Sequence, residues 1–157
     1  MLFKNEAEFE IYIRNLIINN ITTSDKNIYL LDNKKIVDIV ICRDHPIPAL
    51  FFIEVKYYKK SHNRLSIGNS DGKGFQIEIL KKNPLYFQTH LKWVLASEEH
   101  YTKGVIFVTS EVIKKYISGK GIDEKQNNIQ LKIFQNENWL TENQFIVELQ
   151  QWMMEGI

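Results

Sequence analysis

The run Ile36-Val37-Asp38-Ile39-Val40-Ile41-Cys42 and, after a short turn, the run Ala49-Leu50-Phe51-Phe52-Ile53-Glu54-Val55-Lys56-Tyr57-Tyr58 decide how this chain is read. Both are apolar at odd and even positions alike, the pattern of central strands covered on both faces. The link from Asp44 to Pro48 is polar and holds two prolines, as a turn between strands does. Charged residues inside such strands need a physical reason.

Asp38 is the only polar residue of an otherwise buried-type strand, and an unpaired buried carboxylate costs several kcal/mol or titrates to neutral. In the second run the period of two points Glu54 and Lys56 to one face, together with Phe52 and Tyr58. If the two strands are neighbours, Asp38 and Glu54 converge, and two carboxylates that close repel unless a cation lies between them. Two hard oxygen ligands with positions left for water and phosphate suit magnesium. Lys56 would then hold or help deprotonate a water for attack on a phosphodiester. Chance is the rival account of the triplet: with 13 glutamates and 17 lysines, one Glu-x-Lys is expected about once. A structural charge cluster, each carboxylate paired with a lysine at a strand end, is the rival account of the pair.

Working outward, Phe9, Tyr12, Ile13, Leu16 and Ile17 fall at helical spacing behind Asn5 and Glu8, which stand as a capping box. A strand from Ile28 to Leu31 precedes the two central runs, giving a meander. A loop from Ser61 to Gly74 holds Gly68, Gly72 and Gly74, and a short helix with Phe75, Ile79 and Leu80 ends before Pro84. Strands at Leu91 to Ser97 and Gly104 to Thr109, a helix from Glu111 to Ile117, a strand from Ile129 to Phe134 and a last helix capped by Thr141 complete the chain. The order is that of one α/β domain over residues 1–157, with a mixed central sheet flanked by helices.

At 157 residues and 44% apolar content the chain is long enough for one proper core. A net charge of +1 neither marks nor excludes a nucleic-acid binder. The single Cys42 cannot form an internal disulfide and is expected as a buried thiol. Early charges leave no room for a signal segment and no apolar run reaches membrane-spanning length, so the sequence reads as a soluble, cytoplasmic protein with no membrane contact.

The pattern resembles the PD-(D/E)XK nuclease superfamily. The resemblance rests on an aspartate in the second core strand, an acidic-x-lysine triplet in the third and the 15 residues between Asp38 and Glu54, which suit a hairpin. It covers about residues 6 to 97. It implies a restriction-endonuclease-like core (helix, three-strand meander, helix, strand, plus C-terminal additions). It further implies that Asp38 and Glu54 bind the metal while Asp38, Glu54 and Lys56 form the catalytic site. The family's usual proline before the aspartate is replaced by Val37. Some members add a glutamate from the first helix and a glutamine or lysine from the second, which points to Glu6 or Glu10 and to Gln76. Glu6 lies nearer the centre of the Phe9, Ile13, Leu16 stripe than Glu10 does, and Glu8 suits the cap. A solvated first-turn acid and an ordinary early-helix amide are the plain alternatives for Glu6 and Gln76.

Lys59, Lys60, His62 and Arg64, with Tyr57 and Tyr58 just before them, lead directly from the proposed site into the glycine loop. They are placed for phosphate contacts, and Lys73 precedes a helix start that can receive an anion. A solvated loop is the alternative. Tyr86, Phe87 and Trp93 read as packing aromatics, and Lys125, Asn127, Asn128 and Gln130 as a polar turn that could otherwise read base edges. The expectation is a magnesium-dependent DNA endonuclease of restriction type, with manganese as a substitute metal and a homodimer for cutting both strands. A structure-selective or repair nuclease, or an inactive nucleic-acid-binding module of the same fold, are the rivals.

Overall fold

The computed structural model describes residues 2–31, 37–68, 74–117 and 127–155. Asn5 opens the first helix, α1 (Glu6–Ile17): its Oδ1 accepts from Glu8 N at 2.9 Å, while Glu8 Oε2 accepts from Lys4 N at 2.7 Å. A π-helical turn, Ile18–Thr22, carries α1 into the strands β1 (Ile28–Leu31), β2 (Ile39–Arg43) and β3 (Ala49–Tyr58), an antiparallel meander. The chain then forms β4 (Leu65–Ser66), α2 (Phe75–Lys82) and α3 (Leu85–His90) before β5 (Leu91–Ser97) returns parallel to β3. Next, β6 (Ile106–Thr109) pairs antiparallel with β5 and leads into α4 (Ser110–Lys115), followed by β7 (Asn128–Ile129), α5 (Ile133–Asn136) and α6 (Glu142–Glu155). The main sheet is five-stranded and mixed, in the order β1-β2-β3-β5-β6, and β4 with β7 forms a separate two-stranded sheet.

Alternation along β3 divides the core into two layers. Phe51, Ile53, Val55 and Tyr57 face α1 and α6, where Phe9, Ile13, Phe145 and Leu149 are fully buried. On the opposite face Trp93, Leu95 and Ile106 meet Ile77 and Leu80 of α2, Ile113 of α4 and Phe134 of α5. Glu54 and Lys56 belong by alternation to this second face. Helices thus cover both sides, as expected of strands apolar at every position. Among the described residues no helix is long and apolar enough to cross a membrane.

Several expectations are corrected. The strand foreseen from Ile36 to Cys42 starts at Ile39 and runs to Arg43; Asp38 lies in the bend just before it, and Ile36 is outside the described residues. The strand foreseen from Ile129 to Phe134 is only the last residue of β7 followed by a helix, because Ile129, Ile133 and Phe134 are buried at helical spacing. The helix foreseen over Glu111 to Ile117 is Ser110–Lys115; Tyr116 leaves it so that its carbonyl can accept from Gln130 N at 2.6 Å, and Ile117 bridges to Ile129. The strand foreseen from Gly104 begins at Ile106, since Val105 is bridged to Leu140 instead. Cys42 is half-buried, not buried, with Sγ 3.1 Å from the Tyr29 hydroxyl. Two elements, α3 and β4, lay outside the expected order. Pro84 closes α2 and also opens α3, its fixed φ of −59° suiting the residue before a helix.

Trp93 is fully buried with Nε1 donating to Ser110 Oγ at 2.9 Å, and Phe87 packs edge-on against Phe52 and Phe75. The Tyr86 hydroxyl bonds both backbone groups of Leu50. At the far end of the sheet Thr141 caps α6 reciprocally with Gln144.

Gly104 joins β5–β6 to α6 through a close approach. Its φ is +98°, and a Cβ there would lie 2.0 Å from the Leu140 carbonyl oxygen. Gly104→Ala is therefore expected to lower stability by about 1–3 kcal/mol or more, read as a lower midpoint in urea unfolding. An unchanged midpoint would show that the Val105–Leu140 bridge is dispensable.

Candidate metal and catalytic site

The register pairs Ile39 with Ile53 and Val40 with Phe52, so one further step brings Asp38 opposite Glu54. Asp38 does not continue the ladder by its backbone. Its Oδ2 accepts from Val55 N at 2.7 Å, and its carbonyl accepts from Arg14 Nη2 of α1. The bend thus turns the carboxylate onto β3.

Glu54 is only 2% exposed. Its Oε2 accepts from Gln76 Nε2 at 2.6 Å, and Gln76 Oε1 in turn accepts from Gly68 N at 3.1 Å. Its other oxygen, Oε1, is buried and has no hydrogen-bond donor. The Asp38 carboxylate is the neighbour within hydrogen-bonding reach, and the two can share a hydrogen bond only if one carries a proton. Burial first, and the Asp38 charge second, push the Glu54 carboxyl up to about 8, against the opposing pull of Gln76 and Lys56.

Lys56, also buried, donates from Nζ to the Ser66 carbonyl at 3.1 Å. That carbonyl is held over the site by the β4–β7 pairing, which sets Ser66 opposite Asn128. Glu6 is the first residue of α1 and partly open to solvent, and its Oε2 accepts from Tyr57 N at 3.3 Å. Burial of that carboxylate raises its pKa, and the Lys56 charge works against the rise. Glu10 is instead paired with Arg14 at 2.9 Å. Of the two candidate first-helix acids, Glu6 is therefore the one at the site.

An open cleft of about 460 Å³ adjoins Lys56, lined by Glu6, Tyr57, His62, Arg64, Leu65 and Ser66. The structure brings Asp38, Glu54, Lys56, Gln76 and Glu6 together, with His62 and Arg64 at the cleft. Lys60 is exposed in the turn Lys60–His62 and does not line the cleft; its backbone N donates to Glu98. Lys59 is not brought to the cleft either: its ammonium donates to the Lys4 carbonyl at 2.8 Å. Lys73 and Lys125 lie outside the described residues. Asn127 and Asn128 are engaged in the second sheet, where the Asn127 carbonyl accepts from Ile67 N.

Among the described residues no three His, Cys, Asp or Glu side chains form a metal cluster. What the site offers is a pair of neighbouring carboxylates, with Glu54 Oε1 buried and without a hydrogen-bond donor. Arg14 and the backbone of Ser66 and Gly68 belong to the site without a motif that announces them. The sequence signal that could have found Arg14 is its four-residue spacing from Glu10, which suits an ion pair on one helix face. Compared with models of protein families, with curated proteins and with solved structures, the chain matches none.

A carboxyl whose pKa is raised on folding binds more protons in the native state between its ordinary value and the raised one. Stability should then fall as pH climbs from about 4.5 to about 8. In metal-free buffer the wild type is expected to lose up to a few kcal/mol over that window, and Glu54→Gln to lose markedly less. Urea unfolding at pH 5 and pH 8 in EDTA measures both. Parallel pH curves for the two proteins would show that Glu54 does not titrate there.

Proposed function

We propose that this chain is a metal-dependent DNA endonuclease of the PD-(D/E)XK kind, hydrolysing phosphodiester bonds. The observation that carries the reading is the buried Glu54, with Oε1 lacking a donor and the Asp38 carboxylate within hydrogen-bonding reach of its side chain, and with Lys56 two residues along the same strand face. A helix, an antiparallel three-strand meander, a helix and a strand parallel to the third support it as the order that the family implies.

In this reading Asp38 and Glu54 hold magnesium, or manganese in its place. When bound, the metal polarises the scissile phosphate and stabilises the charge that develops on it. Lys56 orients the attacking water and, once its ammonium has released a proton to solvent, accepts the proton of that water as a neutral amine. Gln76 keeps Glu54 in place by tying it to the Gly68 backbone. Glu6 shares the Lys56 environment and adds a further negative charge beside it. His62 and Arg64, at the cleft, are placed to hold a neighbouring phosphate. Cutting both strands of a duplex, as a restriction-type enzyme does, takes two such sites, which a homodimer supplies.

The test uses supercoiled plasmid and branched DNA with magnesium, manganese or EDTA. Cleavage is expected with either metal and none in EDTA. Asp38→Ala should abolish it, and Lys56→Ala should slow it by about 10²–10⁴-fold, the range for loss of a positioned proton-transfer group. Intact DNA under every metal, or variants that cut as fast as wild type, would overturn the enzyme reading.

A further inference from the structure

We propose that Arg14 is a positioning residue: it fixes the Asp38 peptide and thereby aims the Asp38 carboxylate at Glu54. The inference rests on the reading of Asp38 and Glu54 as the pair that holds a divalent cation.

Arg14 lies in the third turn of α1, with its side chain only 14% exposed and that of Glu10 19% exposed, so the pair is not a solvated surface ion pair. Two donors of the one guanidinium are used at once. Nε donates to Glu10 Oε2 at 2.9 Å, and Nη2 donates to the Asp38 carbonyl. Because the guanidinium is a rigid plane, fixing it on Glu10 also fixes where the second donor points.

That second bond acts at the bend where β2 has not yet begun. Asp38 has its carbonyl drawn towards α1 and its carboxylate on the β3 side, where Oδ2 accepts from Val55 N at 2.7 Å. Asp38 is thus pinned at two points, its carbonyl by Arg14 and its carboxylate by Val55 N, so the peptide that Arg14 holds is the base from which the carboxylate reaches β3. Ordinary strand pairing cannot do this, since the paired register starts at Ile39. Glu6, Glu10 and Arg14 stand four residues apart down one side of α1, so a single helix brings Glu6 to Tyr57 and Arg14 to Asp38. A lysine at position 14 would keep the charge but could not hold both partners in a fixed plane.

The test follows amide hydrogen exchange at Val55, Ile53 and Tyr57 by NMR in metal-free protein, and magnesium affinity by titration calorimetry. The proteins are wild type, Arg14→Met, Arg14→Lys and Glu10→Gln. A hydrogen bond to a charged acceptor shifts an opening equilibrium by about tenfold or more. Arg14→Met is therefore expected to speed exchange at Val55 by about tenfold while Ile53 keeps its rate, and to weaken magnesium binding by a similar factor. Arg14→Lys should recover part of both losses, and Glu10→Gln should show a smaller effect of the same kind. If Arg14→Met does not fold, Glu10→Gln decides alone. Unchanged exchange at Val55 overturns the proposal, and so does a uniform rise along β3, which is the mark of general loosening. A selective response at Val55 in a protein whose wild type binds no magnesium leaves the positioning role standing and removes the cation reading.

Discussion

Glu54 and Lys56 put opposite charges into the middle of β3, a strand paired on both edges and covered on both faces, where little water reaches them. Moving such groups out of water carries a penalty of several kcal/mol per ion, so the surrounding elements must supply partners. They do so from four directions. Asp38 arrives from the bend before β2, Gln76 from α2, the Ser66 carbonyl from β4 and Glu6 from the start of α1. The compensation is nonetheless incomplete, because Oε1 of Glu54 has no donor and the Asp38 carboxylate beside the residue repels its charge. A purely structural charge cluster would be expected to close on itself, each carboxylate with a cation. Here the Lys56 ammonium donates to a backbone carbonyl and acts on Glu54 only through its charge.

The small second sheet explains how so polar a patch stays ordered. Leu65 and Ser66 pair with Ile129 and Asn128, and the Ile67 amide reaches the Asn127 carbonyl. Segments about sixty residues apart are thereby joined over the site, fixing the carbonyl that receives Lys56 and bringing Gly68 to Gln76. Leu65, Ile67 and Ile129 are buried in the same apolar layer as α2 and α5, so packing and polar placement are set by the same contacts.

The meander and the charged residues within it were legible because both features are local. A strand covered on both faces requires apolar residues at every position, and Asp38, Glu54 and Lys56 break that rule visibly. The Asp38 bend was less legible: Ile36 to Cys42 reads as continuous strand, and only the Arg14 and Val55 contacts reveal that the aspartate stands outside it. The stretch after Ile129 was misread because a short apolar run fits either period, and the choice falls to whichever face must be buried.

By itself the sequence determined that two adjacent strands would be central and that Glu54 and Lys56 would be carried into one of them with Asp38 close by, since side-chain alternation and the cost of burial act over a few residues. Only the tertiary structure decided which distant groups meet those charges. It chose Glu6 over Glu10 because Arg14 holds the latter, drew Lys59 away to the Lys4 carbonyl, and left Glu54 Oε1 without a donor. Such choices depend on how α1, β4 and α2 pack around β3, and contacts between segments so far apart in the chain leave no periodicity in the sequence.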